Sequence, residues 1–127
     1  MTVLAAIVFA IAMLGVVGFQ VALALGAPWG AYAMGGSFPG RYPPRMRVAS
    51  ILQAVVLALV GLVVLSHAGL VLPAIAETVP WLVWLAVALS GVSLVLNAIT
   101  PSAGERRLWV PVAAVMLFSS LVVAITA

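Results

Sequence analysis

Between residues 3 and 26, 48 and 69, 79 and 99, and 108 and 126, the chain carries no Asp, Glu, Lys or Arg. No other feature constrains its fold as tightly. A helix rising 1.5 Å per residue crosses a hydrocarbon layer about 30 Å thick in roughly 20 residues. Inside that layer no water can satisfy a backbone N–H or C=O, so a lone spanning segment must be helical. The expected fold class is therefore an all-α integral membrane protein, an antiparallel up-down bundle of four transmembrane helices. The pattern places a single membrane domain over residues 1–127, with helices at about 3–26, 48–69, 79–99 and 104–126. Loops 27–47 and 100–107 then share one side and loop 70–78 lies on the other.

Composition excludes the soluble alternatives. Hydrophobic residues make up 67% of the chain and charged ones 6%, with a mean hydropathy of +1.40. A soluble domain has about a quarter of its residues charged, so this surface is one that lipid solvates. The isoelectric point of about 10.8 could suggest nucleic acid, but five Arg do not make a basic stripe across a folded surface; nucleic acid is not an expected partner. Cysteine is absent, which removes disulfides, thiolate metal sites and cysteine nucleophiles. No Lys or Arg precedes the first apolar stretch, and that stretch is too long for a signal-peptide core, so it reads as a retained helix.

The arginines give a direction. Arg41, Arg45 and Arg47 lie in the first loop and Arg106 and Arg107 in the third, whereas the second holds Glu77 and no base. Short loops rich in Lys and Arg stay cytoplasmic. Both termini are therefore expected outside, in a multi-pass protein of the cell membrane, a bacterial inner membrane. Trp29, Tyr32, Tyr42 and Trp109 flank the inner interface, and Trp81 and Trp84 mark the outer one; such rings anchor at headgroup level.

Helix association in lipid relies on close approach, which small residues permit. The first span offers Gly15, Gly18, Ala22 and Gly26; the second Ser50, Ala54, Ala58 and Gly61; the third Ala86, Ser90, Ser93 and Asn97. Each stripe is expected to face a neighbouring helix.

The inner loops carry the most specific signals. Loop one holds Pro28, Pro39, Pro43 and Pro44 among several glycines. Proline fixes φ and glycine admits positive φ, so this composition specifies an ordered path folded back over the bundle end. Pro43-Pro44 suits the first turn of the second helix. Ser102 and Glu105 form a capping box, the hydroxyl taking the Glu105 N–H and the carboxylate reaching back to the Ser102 N–H. Arg106 and Arg107 stand ready to balance that carboxylate.

Gln20 lies about 9 Å below the inner end of the first span, Gln53 at similar depth in the second, and Asn97 near the inner end of the third. Amides in hydrocarbon need partners. They are expected either to bond one another as a packing network or to line a polar pocket under loop one. The candidate ligand-binding set is Gln20, Trp29, Tyr32, Arg41, Gln53, Asn97 and Arg106, whose rim cations favour an anionic group such as a lipid headgroup. His67, the one histidine, could pair with Glu77 at the outer side. It makes no metal or haem site by itself. Ser119 and Ser120 are expected to bond carbonyls one turn back.

In length and helix count the chain is similar to two groups of small bacterial membrane proteins, the small multidrug transporters and the small fluoride channels. The resemblance is architectural and transfers no residue. The transporters need a carboxylate in the first helix, where this chain has only Gln20, and the polar pore motif of the channels has no counterpart. No catalytic residue, metal or cofactor is expected. The function expected is that of a structural or accessory subunit that packs with itself or a larger membrane complex, among membrane lipids. The alternative is a small-ligand or lipid-headgroup binder, transporter or channel using the inner polar pocket.

Overall fold

A computed structural model describes residues 1–127. The chain is helical throughout: α1 Thr2–Ala24, α2 Pro44–His67, a short α3 Ala74–Thr78, α4 Leu82–Ile99 and α5 Ala103–Thr126. Two 3₁₀ turns, Gly30–Tyr32 and Met34–Gly36, shape the first loop. The four long helices are each long and apolar enough to cross a membrane, and the chain is a multi-pass membrane protein. All five arginines gather at the end of the bundle where α1 and α4 finish and α2 and α5 begin, called here the arginine end.

Local chemistry sets the helix limits. α1 and α2 each close with a glycine of positive φ, Gly26 (+101°) and Gly69 (+75°). The next N–H in each case reaches back to Ala22 or Leu65, the bonding of a Schellman cap. α2 starts at Pro44, ahead of the apolar run, because Pro43 is extended (ψ 160°) and its carbonyl receives the Met46 and Arg47 N–H groups. The opposite loop contains α3 as well as irregular chain. It is held by Ser66, whose hydroxyl donates to the Leu72 carbonyl at 2.9 Å and accepts the Ala76 N–H at 3.1 Å.

α1 packs against α2 on one side and α5 on the other, and α4 packs on α5, whereas α2 and α4 touch only lightly. The result is a bundle with α1 and α5 central and a loose seam between α2 and α4. Accordingly 28% of each central span is buried, against 17% of α4. The main core joins Phe9 and Met13 of α1 with Val64, Val83, Ala86, Met116 and Val123.

The small-residue stripes are used unequally. Ser50, Ala54 and Gly61 of α2 and Ala86 and Ser90 of α4 are buried, but Ala58 and Ser93 are exposed. In α1 the stripe turns outward: Gly15 and Gly18 are exposed, with no atom within 4 Å of where a Cβ would stand. Its packed face is Ala6, Phe9, Met13, Gln20 and Leu23 instead. The physical reason is complementarity of size. Dispersion is gained by filling a hole, not by facing one hole with another. Met13 supplies the knob and Gly61 the hole, with the Met13 Cε occupying the place a Gly61 Cβ would take.

The serines of α5 bond as expected, Ser119 to the Val115 carbonyl (2.6 Å) and Ser120 to Leu117 (3.0 Å). His67 does not pair with Glu77. Its ring nitrogens lie 2.9 Å from the Val63 carbonyl and 3.0 Å from the Pro80 carbonyl, tying the end of α2 to the start of α4.

Gly61→Leu should lower stability by about 1–3 kcal/mol, the usual cost of overpacking, and Met13→Ala in the same chain should recover part of it. Thermal unfolding in detergent followed by circular dichroism measures both. An unchanged midpoint in Gly61→Leu would mean that Met13 does not fill this hole.

Candidate functional site

At the arginine end the first loop closes on itself and then docks onto the first turns of α5. The Gly30 N–H donates to the Gly40 carbonyl at 2.9 Å. A side chain at residue 30 has no room, since its Cβ would collide with the Phe38 carbonyl oxygen. Three hydrogen bonds then hold the loop on α5. The Ser102 hydroxyl donates to the Ala31 carbonyl (2.7 Å), the Trp109 indole N–H to the Tyr32 carbonyl (2.9 Å), and the Gly35 N–H to Glu105 Oε2 (2.9 Å). The two helical hairpins, α1–α2 and α4–α5, are thereby joined through backbone groups of the loop.

The capping box forms by half. Ser102 accepts the Glu105 N–H at 3.2 Å, but the Ser102 N–H turns to Thr100 Oγ1 (3.3 Å). The Glu105 carboxylate is spent on Gly35. Nor do the neighbouring arginines neutralise it: Arg106 donates to the Thr100 carbonyl at 2.8 Å, and Arg107 is exposed. Glu105 is itself 8% exposed, so this carboxylate is held by a backbone N–H in a largely buried place, where a hydrogen bond to a carboxylate is a strong one.

Tyr42 is not an interfacial anchor. It is 3% exposed, packed with Leu23 and Ala33 and edge-on to Phe38 (6.0 Å between centroids). Burial pushes its phenol above the usual range, and the Glu105 charge adds to the rise. The Tyr42 carbonyl accepts from Arg47 Nε at 3.0 Å, and Arg45 lies over the Phe38 ring at 5.9 Å. Trp29 remains exposed, as does Tyr32. Trp29 stacks on Phe19 (6.1 Å), which also meets Trp109 edge-on (4.7 Å).

The three deep amides do not meet. Asn97 is satisfied on its own helix, donating to the Ser93 carbonyl at 2.7 Å and to its hydroxyl at 3.2 Å. Gln53 is exposed on the outside of α2. Gln20 points inward and is 8% exposed. The contacts of Met13 with Gly61 and of Gly26 with Arg47 set the register of α1 against α2. That register puts Gln20 level with Ala54, one turn below Ser50. Ser50, 2% exposed, was not among the residues expected here; a serine in an apolar helix carries no signal that separates back-bonding from service in a pocket. Neither side chain has a hydrogen-bond partner in the chain, yet no polar atom is sealed from the surface unpaired. Their polar atoms therefore keep a trace of exposure at the bundle surface. Arg41 is exposed in the first loop. Of the predicted set, the fold brings Tyr32 and Trp29 onto the α1–α5 junction, buries Gln20 inside the bundle, and leaves Gln53, Asn97, Arg41 and Arg106 apart.

Glu105→Ala should cost about 1–3 kcal/mol, because it leaves the Gly35 N–H without its acceptor, while Glu105→Gln keeps an acceptor and should cost less. In Glu105→Gln the Tyr42 phenol should also ionise at lower pH than in the parent, since one cause of its rise is gone. Ultraviolet titration of tyrosinate reads this, and an unmoved Tyr42 would show that Glu105 does not face it.

No protein-family model, no curated protein and no solved structure matches this chain.

Proposed function

We propose that this protein is a structural or accessory subunit of a cell membrane that assembles laterally, with copies of itself or a larger complex, through the exposed face of α2. One observation carries the reading. Gln53 stands nine residues into α2, about 13 Å along the axis, and its side chain is exposed among Leu52, Val55 and Val56. An amide facing hydrocarbon lacks partners that water would supply. Between transmembrane helices such a side chain bonds across the interface. No other part of the bundle covers this face of α2. In the same reading the positive-inside rule puts the arginine end in the cytoplasm and both termini outside.

The chain has no cysteine, so single-cysteine variants report contacts cleanly. Val56→Cys should form disulfide-linked dimers in native membranes, and Gln53→Leu in that background should reduce them several-fold. A wild-type protein that is strictly monomeric by native mass spectrometry, with no partner co-extracted in mild detergent, sinks the proposal.

Gln20 favours a second reading, a small polar ligand held beneath loop one by its amide and the Ser50 hydroxyl. Residues kept for function at a cost in stability become more stable when replaced. On this reading Gln20→Leu raises the unfolding temperature of the ligand-free protein, because it removes an unpaired amide from apolar surroundings. A lowered temperature instead assigns Gln20 to packing.

A further inference from the structure

On the side of the bundle where α1 meets α5, the surface is an apolar furrow running along both helices. Two depressions of about 400 and 450 Å³ follow one another there and share Val115. One lies between Leu4 and Phe118, the other between Gly15 and Pro111. Together they extend from Met1 to Gly15, about 21 Å of helix, which exceeds one hydrocarbon leaflet of about 15 Å. The floor is low because Gly15 has no side chain and nothing stands within 4 Å of its missing Cβ. This also gives the outward turn of the α1 glycines a consequence.

The shape favours one kind of occupant. Another transmembrane helix is about 10 Å across, and the exposed Val115 on the α5 wall of the same depression holds it away from the Gly15 floor. A single alkyl chain lies in such a furrow without obstruction.

Charge stands at the mouth. Arg107 precedes Pro111 by one turn and Val115 by two, all three exposed on the same face of α5. In a helix its side chain leans toward the N-terminus, here toward the arginine end and out of the apolar layer. No carboxylate of the chain serves it. Glu105 is turned to Gly35 and Glu77 belongs to the opposite loop. Arg106 is engaged by Thr100. An unneutralised guanidinium above an alkyl-sized furrow matches an acidic headgroup above an acyl chain.

We infer that the α1–α5 furrow binds a phospholipid of net negative charge, its phosphate on Arg107 and one acyl chain along Gly15, Pro111 and Val115. The site is separate from the α2 face proposed for assembly, and neither depends on the other.

The test uses the full chain reconstituted in equimolar phosphatidylglycerol and phosphatidylcholine, extracted in mild detergent and examined by native mass spectrometry. The wild type should retain one phosphatidylglycerol in preference to phosphatidylcholine by about five-fold, the effect of one arginine at an anionic surface. Arg107→Gln should abolish the preference, and Arg41→Gln, at another exposed arginine, should leave it intact. Gly15→Leu fills the floor in open space and should remove the retained lipid of either kind. Three results overturn the inference: no headgroup preference in the wild type, equal loss in Arg41→Gln and Arg107→Gln, or unchanged retention in Gly15→Leu. A fourth is efficient disulfide dimerisation of Gly15→Cys, which would make a second copy the occupant.

Discussion

The carboxylate of Glu105, receiving the Gly35 N–H at 2.9 Å, is the one charged group that ties the first loop to α5. α1–α2 and α4–α5 are each antiparallel hairpins, and between them the packing is uneven, close at α1–α5 and slight at α2–α4. A hydrocarbon solvent gives two such hairpins no hydrophobic drive to associate. What fixes their relation at the arginine end is polar. Ser102, Glu105 and Trp109 present two donors and one charged acceptor within two turns of α5, and the first loop answers with two carbonyls and an N–H. The loop can do so because its own ends are closed by the Gly30–Gly40 bond. Deeper in the bundle, Phe9 and Met13 do the corresponding work with dispersion alone.

The polar side chains within the spans divide into paired and unpaired ones. Where helices are tightly engaged, hydroxyls fall back on carbonyls of their own helix, as Ser90, Ser119 and Ser120 do. Other polar side chains have no hydrogen-bond partner: Gln53 on the exposed face of α2, and Gln20 and Ser50 inside the bundle. An amide without a partner in hydrocarbon carries a free-energy cost that a hydrogen-bonded one does not. The furrow with Arg107 at its head is the same pattern expressed in charge.

The spans, their number and the clustering of all arginines at one end were legible in the chain itself. So was the ordered character of loop one, from its prolines and glycines, and the start of α5, from Ser102 and Glu105. Other readings could not have been completed from sequence. Gly15 and Gly18 resemble a packing stripe as strongly as Ser50 and Ala54 do, and the choice between them rests on which neighbour brings a side chain of matching size. Gln20 and Gln53 have equal depth and identical chemistry, yet one is inside and the other outside. A helix whose every face is apolar has no periodic signal to set its rotation.

What the sequence by itself determined is therefore the solvent. Charge-free runs of about 20 residues admit only helices across hydrocarbon, and the capping and turn residues say where each ends. The tertiary structure alone decided which face of each helix meets a neighbour, and hence where Glu105, Gln20, Gln53 and Arg107 find or lack partners. The reason is physical. In water a helix is rotated by the need to hide its apolar face, whereas in lipid that need vanishes. Rotation is then set by the fit of Met13 to Gly61 and by the bonds that loop one makes to α5.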